Sequence, residues 1–297
     1  MSKTPRNLIL LSMALISSAC GQIQRAFDPH ERWAVVYASE IDEDSAAWMD
    51  VLVMDAYRHP PLEHYKTSRN KVLGYVSLGE VQSFYPYYDR LEQSNVILGK
   101  NEQWDSLYVD IRSDLWREIF LKEAIPAVID QGFDGIMIDT VDSAIALEQQ
   151  NPEQYAQMQE YAAHTIAYAR HLYPDITIMV NRGFEILPQI ADKIDYVLAE
   201  SILVEHDLKT SNSKLFSDDI YGHYVTLLKQ LQKQHPHIKV YTLDYWSPKD
   251  NKGIKAIYNM QRANGFIPFV STPDLRHIHK EAITSSAAPV KKGTDHA

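Results

Sequence analysis

Cysteine is nearly absent: Cys20 is the single one in 297 residues. No disulfide framework and no cysteine-built zinc site can form within the chain. A His-Glu-x-x-His run and a Gly-x-Ser-x-Gly elbow are also missing, which removes two familiar hydrolase signatures. Basic charge is in deficit, with a formal net charge of -10. That argues against nucleic acid, which is bound by neutralising phosphates with Lys and Arg. An acidic chain suits a neutral or cationic ligand through long-range attraction, or serves solubility alone. The apolar run near the N-terminus, Leu8 to Ile16, is too short to span a bilayer.

That run does have an address. Lys3 and Arg6 precede it, and Ser17-Ser18-Ala19 follow it, the layout of a secretory signal. With Cys20 directly after Ala19, the segment resembles a bacterial lipoprotein signal in which Cys20 becomes the lipidated first residue, although Ser17 stands where such signals usually carry Leu. The expectation is an exported lipoprotein of the bacterial cell envelope, facing the outer membrane or periplasm and anchored by its acyl chains. A soluble secreted protein is the alternative. Residues 21–31 read as a polar tether, 32–278 as one domain, and 279–297 as a disordered tail rich in Ser, Ala, Lys and Gly.

From Trp33 the pattern becomes regular. Eight short apolar runs read as strands: 33–38, 51–55, 71–80, 135–139, 177–181, 195–200, 239–244 and 267–271. Helical periodicity lies between them. Trp116, Ile119, Phe120, Ala124, Val128 and Ile129 share one face, with Pro126 set to kink it. Asn151-Pro152 opens a helix with a stripe of Tyr155, Met158, Ala162, Ile166 and Ala169. Ser217 caps one carrying Ile220, Tyr224, Leu227, Leu228 and Leu231, and Lys252 to Ala263 form the last. Alternating strands and helices imply a parallel sheet, and eight such units over this length imply a single α/β (β/α)8 TIM barrel. An open doubly wound sheet usually carries a glycine-rich phosphate turn after its first strand, and none is present. The 80–116 segment is a long aromatic insertion after strand three (Phe84, Tyr85, Tyr87, Tyr88, Trp104, Tyr108), with an extra strand near Leu107–Ile111. It is a plausible wall for a cleft.

Barrel active sites sit at the C-terminal ends of the strands. Asp55, Glu80, Asp139, Asn181, Glu200 and Asp244 all fall there, with Tyr37, Arg182, Glu185 and Tyr245 close by. One such residue is a cap; six at equivalent positions are a site, because like charges crowded at an empty mouth repel. Paired carboxylates cleave glycosidic bonds as acid and base or nucleophile. Clustered carboxylates hold divalent metals instead. Metal-hydrolase barrels usually bring histidines to the strand ends, and here the 12 His lie largely in helical and loop stretches. His206, beside Glu205 and Asp207, is nearest and reads as a solvated loop residue. Glycoside hydrolysis is favoured, with no metal or other cofactor expected.

Gly-Tyr-Val-Ser-Leu-Gly-Glu at 74–80, Gly-Phe-Asp-Gly-Ile-Met-Ile-Asp-Thr-Val-Asp at 132–142, and the strand ending in Glu200 resemble glycoside hydrolase family 114. The resemblance runs from about Trp33 to Leu275. It implies a TIM barrel and an endo-α-1,4-polygalactosaminidase activity on galactosamine-rich exopolysaccharide. It also implies Asp139 as nucleophile, Glu200 as general acid/base with a raised pKa, and retention of configuration. Asp142 matches the second aspartate of the motif and is expected as a substrate contact or a support beside one. Tyr37, Asp55, Tyr75, Glu80, Asn181, Arg182, Asp244 and Tyr245 are then the expected substrate contacts. The protein is expected as a monomer. The alternatives are a lipid-anchored barrel that binds glycan without cutting it, and a metal-dependent hydrolase.

Overall fold

The computed structural model describes residues 31–281; Cys20, the signal and most of the tether and tail lie outside the described residues. Eight strands form one parallel sheet in chain order: Trp33–Val36, Val51–Met54, Lys71–Ser77, Gly135–Asp139, Thr177–Asn181, Tyr196–Glu200, Lys239–Tyr245 and Ile267–Ser271. The sheet curls until strands eight and one meet. There the Trp33 indole donates to the Ile267 carbonyl at 2.8 Å, and the Tyr37 N–H to the Leu275 carbonyl at 2.7 Å. Their Val, Ile, Leu and Met side chains are buried on both sides, which is why the strands read as unbroken apolar runs. Gly135 is needed for closeness: a Cβ there would stand 2.0 Å from the Thr177 carbonyl oxygen on strand five.

The N-terminal rim is tied by a repeated device. Asp50, Asp134 and Asp195, each just before strand two, four or six, accept backbone N–H groups from Arg32, Val72 and Ile178 on the preceding strand's entry. Each also pairs with a cation: Arg32, Lys66 or Arg170. The domain's ends reach past their expected limits. Glu31, expected in the tether, is buried against Lys239 and Tyr241, and Glu281, expected in the tail, makes a two-pronged pair with Arg262.

Four local features differ from the sequence reading. Strand three stops at Ser77, and Glu80–Val81 joins a separate three-stranded sheet with Ile97–Asn101 and Ser106–Val109. Helix Val141–Gln150 follows strand four directly, and the next helix begins at Met158 rather than Asn151, because Gln157 takes a left-handed φ of 71° that breaks the turn. The stretch around Pro126 stays helical by widening: Phe120–Ala124 is a π-turn between Asp114–Ile119 and Ile125–Ile129. Ser217 caps Asp218–Gln234 as expected, but Ile220 faces solvent and Tyr221 takes the buried place. Among the described residues no helix is long and apolar enough to cross a membrane.

Candidate active site

Side chains alternate along a strand, so every second residue faces the barrel axis. At the C-terminal mouth this brings Val35 and Tyr37, Tyr75 and Ser77, Met137 and Asp139, Leu198 and Glu200, and Leu243 and Tyr245 onto one cavity of about 680 Å³. The insertion supplies a wall through Phe84, Tyr85, Trp104 and Tyr108. Tyr87 lies behind it, against Trp116 with ring centroids 5.7 Å apart.

Strand five lies between strands four and six, and Asn181 at its end spans them. Its Nδ2 donates to Asp139 Oδ1 at 2.8 Å and to Glu200 Oε2 at 2.7 Å. Its own Oδ1 is buried without a partner among the described residues, so the amide is turned wholly toward the carboxylates. Leaving a buried acceptor unpaired costs about 1–3 kcal/mol. Two charge-assisted bonds offset that cost. Glu200 has a second donor, the Tyr245 hydroxyl, at 2.6 Å from Oε1.

The backbone turns sharply after each of these strand ends. Thr140, Arg182 and Ser201 directly follow Asp139, Asn181 and Glu200, and all three adopt left-handed φ values of 60°, 54° and 52°. Such conformations are uncommon outside glycine, and a β-branched Thr there is an outlier. The surrounding bonds hold them. The Thr140 hydroxyl accepts from the Gly79 N–H at 2.8 Å and lies 2.7 Å from Ser77 Oγ. A Cβ on Gly79 would come 2.2 Å from the Thr140 carbonyl oxygen, so only glycine fits. Arg182 reaches the Glu200 carbonyl at 2.7 Å and Asp142 Oδ2 at 3.0 Å.

Burial, and next the charge of Glu200, push the Asp139 carboxyl up to about 7. Asp142 is also raised, chiefly by burial, against the opposing pull of Arg182. Asp139 has one side-chain donor, Asn181, and Glu200 has two, Asn181 and Tyr245. Burial first, then Asp139 and Glu200, raise the Tyr37 hydroxyl well above its ordinary value; burial and then Glu200 do the same for Tyr245.

The remaining expected contacts divide. Tyr37 and Tyr75 meet edge to face with centroids 5.5 Å apart and line the cavity. Asp55 lines it too, while accepting from the Tyr57 and Arg58 N–H groups at 2.8 and 3.2 Å, which shapes the loop after strand two. Glu80 faces the cavity from the extra sheet, saturated by Asn101 at 3.0 Å, Ser143 at 2.5 Å and the Ser106 hydroxyl. It pins the insertion to the helix after strand four. Asp244 is turned away from the cavity. It is buried and accepts from Leu203 and Val204 N–H at 3.3 and 3.0 Å and from Gln261 Nε2 at 2.6 Å. Glu185 is exposed beside Gln149. His206 lies in the Val204–Asp207 hairpin, bonded to Ser213 and 6.0 Å from the Tyr245 ring. Sequence reading missed Ser143, Asn101 and Ser106, small polar residues that carry no signal until the fold collects them. Among the described residues no group of three or more His, Cys, Asp or Glu is placed to hold a metal ion.

A (β/α)8 barrel with paired carboxylates at its mouth is the architecture of the barrel glycosidases, and the chain is a glycosidase of that class. The model of glycoside-hydrolase family GH114 matches residues 17–287, and the chain belongs to that family. Among solved structures it is similar to the glycoside hydrolase domain of PelA from Pseudomonas aeruginosa. That likeness has 24% identity and a TM-score of 0.74 and covers 84% of this chain and 98% of the other. It is also similar to Ega3 from Aspergillus fumigatus, solved in complex with galactosamine, at 17% identity and a TM-score of 0.61, covering 86% and 95%. An alpha-amylase from Geobacillus thermoleovorans shares the fold at 10% identity and a TM-score of 0.52, covering 86% and 75%. No curated protein matches the chain at a significant level.

Proposed function

We propose that the protein cleaves galactosamine-rich polysaccharide within the chain, by a retaining mechanism carried by Asp139 and Glu200. The observation that carries this is the shared donor. Because one nitrogen bonds both carboxyls, their nearest oxygens lie no farther apart than bonds of 2.8 and 2.7 Å laid end to end. Carboxyls held this close favour the about 5–5.5 Å gap of retaining enzymes over the wider, water-holding gap of inverting ones. Asp139 attacks the anomeric carbon while Glu200 gives its proton to the departing glycosidic oxygen. Glu200 then takes a proton from water, which attacks the same carbon and releases Asp139. The pair thus starts each cycle with one proton, and burial of Asp139 keeps it there to about neutral pH. Polymer amines are cationic; one beside Asp139 would hold it ionised and send the proton to Glu200. The net charge of -10 and a relative captured with galactosamine support that choice of sugar.

Asp142, through Arg182, serves as support for the strand-six exit. The N-terminal pattern favours an envelope lipoprotein lipidated at Cys20, which acyl-chain labelling of wild type against Cys20→Ala would check. The main test is product analysis with defined α-1,4-galactosamine oligomers. Asp139→Asn and Glu200→Gln should each lower turnover by about 10³-fold or more while keeping the thermal transition. Activity retained in both would sink the assignment.

A further inference from the structure

The insertion carries two large rings that the fold leaves in water. Phe84 is 55% and Trp104 51% exposed, yet both line the cavity. Most other rings of the segment are used up in packing: Tyr85 stacks on Tyr57 at 4.9 Å, and Tyr87 lies against Trp116. The exposed pair are held firmly from below. Phe84 stands edge-on to Tyr85 at 4.9 Å and to Tyr57 at 6.4 Å, with the Arg58 guanidinium 5.9 Å from its ring. Trp104 tops a tight turn. Its N–H bonds the Asn101 carbonyl at 3.3 Å, Asp105 takes a φ of 51°, and Lys100 pairs with Asp105 at 2.9 Å. Both ends of that turn, Asn101 and Ser106, donate to Glu80, which also takes the Ser143 hydroxyl.

The two rings therefore mark different parts of one wall. Phe84 stands by the loop after strand two, through Tyr57 and Arg58. Trp104 stands by the helix after strand four, through Glu80 and Ser143. Asp139 and Glu200 line the same cavity. We infer that Phe84 and Trp104 are stacking sites for sugar rings lying beyond the bond that is cut, one on each part of the wall. A flat apolar face suits the apolar face of a pyranose, whose hydroxyls stay wet at the edge. Such a wall gives a long chain contacts that a short one cannot reach. The inference rests on the glycan-cleaving reading and extends it to substrate length.

The experiment measures affinity for α-1,4-galactosamine oligomers of graded length by calorimetry, on the full chain carrying Glu200→Gln so that nothing is consumed. Trp104→Ala and Phe84→Ala should each weaken the longest oligomers by about tenfold and leave the shortest unchanged. In the active enzyme the same substitutions should raise KM for long chains and hold kcat. An equal loss on short and long oligomers, no loss at all, or no binding of any oligomer would overturn the inference. So would a changed oligomeric state with oligomer affinity intact, which would make the rings a contact between copies. Ring-dependent binding without cleavage by the wild type would instead refute hydrolysis and leave the stacking sites standing.

Discussion

Asp139 and Asp244 occupy equivalent positions, each at the C-terminal end of a barrel strand, and burial raises both, to about 7 and about 6. They differ in parity. Asp139 follows Met137 on the axis-facing side of strand four, so it opens on the cavity. Asp244 lies between Leu243 and Tyr245, which face the axis, so it points outward into the gap between strand seven and helix Asn251–Ala263. Asp139 shares its amide donor with another carboxylate. Asp244 has three donors to itself, and two of them are the N–H groups of Leu203 and Val204, just past Glu200. Two similar carboxyls thus sit in opposite settings: one opens on the cavity short of partners, the other is a clasp that fixes the strand-six exit.

Truncating both gives the largest contrast. Asp139→Ala should cost about 10³-fold or more in turnover and should not lower stability, since it removes a like charge beside Glu200 and leaves Asn181 bonded to it. Asp244→Ala should orphan two backbone N–H groups and the Gln261 amide, costing on the order of 3 kcal/mol in chemical denaturation. Its folded fraction should keep turnover within about tenfold. If Asp244→Ala is as inactive as Asp139→Ala at full stability, the division between them fails.

A smaller effect separates them by pH. Each carboxyl has a folded value above its ordinary 3.8, so the folded state holds protons that the unfolded chain has already lost. Their contribution is complete below about pH 4 and declines as pH rises, through about 6 for Asp244 and about 7 for Asp139. The slope is at most about 1.4 kcal/mol per pH unit for each proton. In Asp139→Asn the decline between pH 6 and 7 should vanish while the part ending near 6 remains. Denaturation midpoints at stepped pH would read this; an unchanged profile would mean that Asp139 titrates alike folded and unfolded.

The parity difference explains what the sequence disclosed. Eight buried parallel strands are legible because each is a short apolar run, and Asp139, Asn181 and Glu200 are legible because they end such runs. Asp244 is the last polar residue of its run, but the alternation turns it outward and gives the axis-facing place to Tyr245, one residue on. Glu80 reads as the end of strand three, but the strand ends at Ser77 and Gly79 then passes close against Thr140. The glycine was the available signal. Nothing in the sequence foretold the left-handed turns at Thr140, Arg182 and Ser201, since their φ values are imposed by tertiary bonds and not by residue type.

The finest test concerns Tyr245, the residue that parity put where Asp244 was expected. Its hydroxyl donates to Glu200 at 2.6 Å. Tyr245→Phe keeps the buried ring and deletes only that donor. In the wild type, kcat/KM should fall above about pH 7, as the pair loses the proton that departs with the leaving oxygen. Without the donor, an ionised pair is less well stabilised, so the alkaline limb should move upward. The maximal rate should fall by about tenfold, the scale of one charge-assisted hydrogen bond. A matching loss with no movement of the limb would assign Tyr245 to the substrate instead of to Glu200. Movement of the limb in Asp244→Ala, which touches neither carboxyl of the pair, would dissolve the distinction between clasp and reactive group.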